Sequence, residues 1–98
     1  MTPDQIKEEI EITRRGPTIE ELFAAPILSP WLPSFEGGVL HLIGSGEATA
    51  PLLRYYPSVS AARCVGGWYC LGEFIGQPEQ LELLGAAAEI QFRRMTRG

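Results

Sequence analysis

The run Ala61 to Ile75, AARCVGGWYCLGEFI, sets two short apolar stretches on either side of Gly66-Gly67, and this arrangement constrains the chain more than any other. A Gly-Gly pair between strand-forming residues such as Val65, Tyr69, Phe74 and Ile75 predicts a β-hairpin. Isolated hairpins are marginal in water, so the rest of the chain must cover its apolar surface. The run Val39 to Ile43 and a helix opening at Pro78 are the available covers.

Helix signals frame both ends of the chain. Thr2-Pro3-Asp4-Gln5 combines an N-cap, a proline at the first helical position and a capping-box partner, and Gly16-Pro17 is a stop. The spacing predicts a helix over Pro3 to Arg15, with acids early and Arg14 and Arg15 late, as the helix dipole favours. Only Ile6, Ile10 and Thr13 share a face, so this helix is expected to be mostly exposed and weakly anchored. Thr18 with Glu21 repeats the capping logic, and Ile19, Leu22 and Phe23 make a short amphipathic helix that Pro26 ends. The longest regular element runs from Pro78-Glu79 to about Met95. Its buried stripe is expected to hold Leu81, Leu84, Gly85, Ala88, Phe92 and Met95, with Leu83, Ala86, Ala87 and Ile90 on the other side.

Between these ends, PILSPWLPSFEGG carries prolines at 26, 30 and 33, which predicts an extended loop over 26–38 without regular pairing. Its apolar residues Ile27, Leu28, Trp31, Leu32 and Phe35 either strap one end of the core or present a recognition surface. Val39 to Ile43 is apolar on both parities except for His41, the pattern of a central strand. Pro51 and Pro57 bracket an expected short helix to Tyr56.

Size and charge exclude several classes of function. The 98 residues, 45% of them hydrophobic, suffice for one domain with its own core, organised as a helical region 1–25, the Pro/Trp loop 26–38, and sheet plus helix over 39–98. A net charge of −4 argues against nucleic acid as a partner. Seven of the twelve acids lie at or before Glu36, against three of the eight bases, so electrostatic preference belongs to the N-terminal surface. No apolar run approaches the ~20 residues of a membrane span, and MTPDQIKEEI lacks the features of a secretory signal. Two cysteines without a signal imply reduced thiols in the cytoplasm.

Candidate chemistry is sparse. Gly44-Ser45-Gly46 after a strand suggests an anion-binding turn, but Glu47 follows directly and neither glycine-rich phosphate motif is present. Cys64 and Cys70 do not have metal-ligand or redox-motif spacing. A Gly66-Gly67 turn pairs Cys64 with Tyr69 and places the sulfurs on opposite faces; a wider loop would set them opposite one another. His41, the single histidine, makes a nucleophilic dyad only if Cys64 or Cys70 lies beside it. No catalytic set, metal site or cofactor is therefore assigned.

These observations predict an α+β fold with a small, mainly antiparallel sheet of about three strands, covered by the C-terminal helix and flanked by the N-terminal helical pair. The rival is a thioredoxin-like βαβαββα order with Glu9 to Thr13 as its first strand. The expected function is non-catalytic protein interaction, as adaptor, inhibitor or regulatory subunit, through Trp31, Phe35, Leu83, Ala87 and Ile90, with a homodimer through the C-terminal helix as one form. A small enzyme or ligand-binding domain with a pocket at His41, Cys64 and Cys70 is the alternative.

Overall fold

The computed structural model describes residues 1–97. Among them are three α-helices and seven strands: α1 (Pro3–Arg15), α2 (Ile19–Ala24), β1 (Ile27–Leu28), β2 (Trp31–Glu36), β3 (Val39–Gly44), β4 (Glu47–Ala48), β5 (Leu52–Tyr56), β6 (Ala61–Cys64), β7 (Gly67–Leu71) and α3 (Pro78–Thr96). The fold is α+β, and the long C-terminal helix packs on the sheets. In place of a single small sheet there are two, a mixed one in the order β1-β7-β6-β5 and an antiparallel one in the order β2-β3-β4.

The helix starts follow from their caps. Thr2 and Thr18 each accept a hydrogen bond from the third helical residue, Gln5 or Glu21, whose side chain accepts in return from the cap backbone. Residues 9 to 13 are therefore helical, which removes the thioredoxin-like order. The expectation that α1 is weakly anchored is also corrected. Its inward face carries Glu9 and Thr13, both buried, and polar contacts hold it where apolar ones are few. Glu9 accepts from Arg63 and from the backbone N–H of Gly66, while the Tyr56 hydroxyl donates to the Thr13 carbonyl at 2.6 Å.

The segment 26–38 is not a loop. Its prolines sit where strands tolerate them. The backbone N–H and carbonyl of Trp31 point away from β3, bonding Glu73 and Ile75. Pro33, two residues on and opposite Leu42, has the same orientation, so its missing N–H removes no bond from the β2–β3 ladder. Pro26 and Pro30 lie outside the strands, the latter following a cis Ser29-Pro30 bond. Gly37 and Gly38, both in the left-handed region, close the β2–β3 hairpin.

Two further expectations change. Leu52 to Tyr56 is a strand rather than a short helix. So few residues between prolines close few helical hydrogen bonds, whereas pairing with β6 satisfies the backbone. A bulge between Leu52 and Arg54 lets both Leu52 and Leu53 be buried. In the β6–β7 hairpin the turn residues are Val65 and Gly66, so Cys64 pairs with Gly67 and Cys70 with Ala61. Gly66, not the Gly-Gly pair as a unit, supplies the left-handed conformation the turn requires. Each partner moves by two residues, which preserves the faces. The cysteines still point to opposite sides, and both are unpaired thiols.

The core draws on both sheets and on α3: Trp31, Leu40, Leu42, Leu52, Ala62, Cys64, Leu71, Leu84 and Ala88. Gln91 fixes α3 across the two sheets. Its side chain accepts from Leu40 N–H at 2.8 Å and donates to the carbonyls of Leu40 and Leu52 at 2.9 and 2.8 Å. β4 is too short to reach Leu40, so the amide of Gln91 completes the β3 edge there as another strand would.

Candidate functional site

Four of the five residues assigned to partner contact meet on one surface. In the β2–β3 hairpin Phe35 lies opposite Leu40, so both side chains are on the face turned toward α3. There, Pro33, Phe35 and Leu40 face Leu83, Leu84 and Ala87 across a cleft of about 300 Å³. Phe35 and Ala87 also line a neighbouring hollow of about 170 Å³ with Ile90, Gln91 and Arg94. Phe35, Leu83 and Ile90 are 66%, 67% and 55% exposed. An exposed leucine alone means little, but a run of this kind along one cleft is the form an interaction surface takes.

Trp31 does not belong to this surface. It is 2% exposed, tilted against Phe74 and Tyr55 with ring centroids 5.0 and 6.1 Å away, and its indole N–H donates to the Gly72 carbonyl. Sequence alone groups Trp31 with Phe35 because both are aromatic residues of the same proline-rich stretch. Depth separates them, because Trp31 lies at the end where β2 meets residues 73–75, whereas Phe35 lies near the open hairpin tip.

The proposed His–Cys pocket is not assembled. His41 Nδ1 donates to the Thr49 carbonyl at 2.8 Å, and the Cys64 thiol donates to the Thr49 hydroxyl at 3.5 Å. Thr49 thus takes the bond from each that a dyad would need them to share. Cys64 is wholly buried, and burial pushes its thiol up to about 11, the reverse of what activates a nucleophile. Cys70 lies on the opposite face, its thiol donating to the Leu22 carbonyl. Among the described residues no group of three or more His, Cys, Asp or Glu side chains is placed to hold a metal ion. No helix there is long and apolar enough to cross a membrane. The Gly44-Ser45-Gly46 turn leads into β4 rather than a helix, so it has no helix N-terminus for an anion.

Two features were not foreseen. One is a second apolar hollow of about 380 Å³ formed by Ile19, Leu22, Phe23, Val59 and Cys70, with Phe23 88% exposed. The other is the polar cluster that holds α1 and α2 together: Arg15 and Glu21 are paired at 2.8 and 3.0 Å. The Arg15 guanidinium, with the Thr18 backbone N–H, holds the Glu21 carboxyl well below the usual carboxylate range. Only pairing across Gly16-Pro17 reveals this contact, and helix spacing does not encode it.

Compared with protein-family models, curated proteins and solved structures, the chain matches none.

Proposed function

We propose that this chain is a non-catalytic protein-interaction module, an adaptor, inhibitor or regulatory subunit, that engages its partner through the cleft between β2 and α3. The observation carrying this reading is that Phe35, Leu83 and Ile90, from two separate elements, stand exposed on one apolar surface together with the half-buried Ala87. The enzyme alternative at His41 loses its support with a buried, protonated Cys64. The two unpaired thiols suit a reducing compartment such as the cytoplasm.

The test compares the wild-type chain with a Phe35→Ser, Leu83→Glu variant, both changes at exposed positions. If the cleft is a docking surface, the variant keeps its melting temperature, and proteins retained by the immobilised wild type are lost from it. A variant that unfolds several degrees earlier while retaining the same proteins would mark the cleft as core and sink the reading.

A further inference from the structure

The outward crest of α3 is chemically self-complementary when reversed. At about 100° per residue, Glu79, Leu83, Ala86, Ile90, Arg94 and Arg97 fall on one stripe, with Ala87 at its margin. All but Ala87 are exposed, and the stripe lies opposite the buried Leu84 and Ala88. Read from either end of an antiparallel pair, acid meets base, leucine meets isoleucine and alanine meets alanine.

On this basis we propose that the partner is a second copy of this chain, docked through α3 in antiparallel fashion across a two-fold axis near Ala86 and Ala87. The proposal rests on the interaction-module reading and names its partner. Small residues at the axis let the two helix backbones approach, Leu83 of each copy packs against Ile90 of the other, and Glu79 of each faces the other's Arg94. Phe35 stands beside the seam on both copies and widens it. A parallel pairing would stack Glu79 on Glu79 and Arg94 on Arg94, so charge selects the antiparallel arrangement. Among the described residues neither Glu79 nor Arg94 is engaged in an ion pair, whereas Arg93 is held by Glu89. α1 leaves Leu83 and Ile90 uncovered, which leaves the crest open to a second molecule.

Sedimentation equilibrium of the full chain over a concentration series tests this with four variants. The wild type is expected to be a dimer. Glu79→Arg and Arg94→Glu alone each weaken it about tenfold, since each introduces two like-charge contacts. The double swap, Glu79→Arg with Arg94→Glu, restores wild-type affinity. Leu83→Glu with Ile90→Glu gives a folded monomer whose unfolding midpoint matches that of the wild type diluted to monomer. A wild type that stays monomeric at high micromolar concentration overturns the second copy as partner, as does a double swap as weak as the single reversals. If Leu83→Glu with Ile90→Glu instead lowers the unfolding midpoint sharply without changing mass, the crest is intramolecular packing and the module reading fails as well.

Discussion

Glu9 on α1 and Arg63 on β6 form a two-pronged ion pair, with Arg63 Nε and Nη2 donating to the two carboxylate oxygens at 2.8 and 3.0 Å. Both residues are buried. The guanidinium also lies over the Trp68 ring, 5.3 Å from its centre, and Glu9 accepts a further bond from the Gly66 N–H at the β6–β7 turn. One carboxylate therefore docks α1, neutralises a buried cation and fixes a hairpin turn.

Removing it should be costly, because a buried charge left without its partner is among the largest single penalties available to a mutation. Glu9→Ala is expected to destabilise by about 3 to 5 kcal/mol, read as a lower urea midpoint. Glu9→Leu with Arg63→Met should recover most of that loss. A loss below about 1 kcal/mol for Glu9→Ala would show that the pair is solvated in solution.

Trp31 and Phe35, two turns of the strand pleat apart, should separate cleanly. Trp31→Ala opens a cavity beneath Tyr55 and Phe74 and is expected to cost about 3 to 5 kcal/mol. Phe35→Ala removes a mostly exposed ring and should change stability by about 0.5 kcal/mol or less. Thermal melts of the two variants check both numbers, and equal losses would place Phe35 in the core.

The thiols should differ in reactivity and in pH response. Denatured, non-reduced protein should titrate two thiols, whereas folded protein should react first at Cys70, because Cys64 is fully buried. Burial lifts the Cys64 thiol from 9.0 to about 11, so between these values the unfolded chain releases its proton while the folded chain retains it. Stability is then fully present below pH 9 and falls as the pH rises toward 11, by on the order of 2 kcal/mol. Burial raises Tyr55 and Tyr56 as well, adding to the alkaline loss. Cys64→Ala should flatten this part of the stability profile, and an unchanged slope would assign it to the tyrosines.

Gln91 offers a fourth test. Gln91→Glu keeps the shape but removes the donor that bonds the Leu40 and Leu52 carbonyls. Unmet buried backbone groups predict a loss of about 2 to 4 kcal/mol. Amide hydrogen exchange at Leu40 should accelerate in Gln91→Leu, which deletes its acceptor; unchanged protection would mean that water replaces the amide.

The helices were legible because their signals are local. Thr2 with Gln5, Thr18 with Glu21 and Pro78 act within one turn, and each marks its helix start. β3 was legible because an apolar run with one histidine has few other uses. The strands around the prolines were not, since whether Pro33 breaks a sheet depends on which way its nitrogen points, and that is decided by Trp31 bonding residues 73–75. Within the candidate surface, helix periodicity exposed Leu83, Ala87 and Ile90, but nothing local to β2 distinguishes the depth of Trp31 from that of Phe35. The buried Glu9 and the half-buried Gln91 were invisible for a related reason: polar residues on a helix read as solvent-facing until their distant partners are known.

The parallel pairing of β1 with β7 also dictates an order of assembly. β5, β6 and β7 follow one another in the chain and pair as a meander with short closures, whereas β1 must wait for a strand made much later. During synthesis the Ile27-Leu28 segment therefore leaves the ribosome long before its hydrogen-bonding partner exists. A nascent chain that stops before Leu71 contains no place for it to dock, and the four-stranded sheet closes only when the start and the later half of the chain are both present.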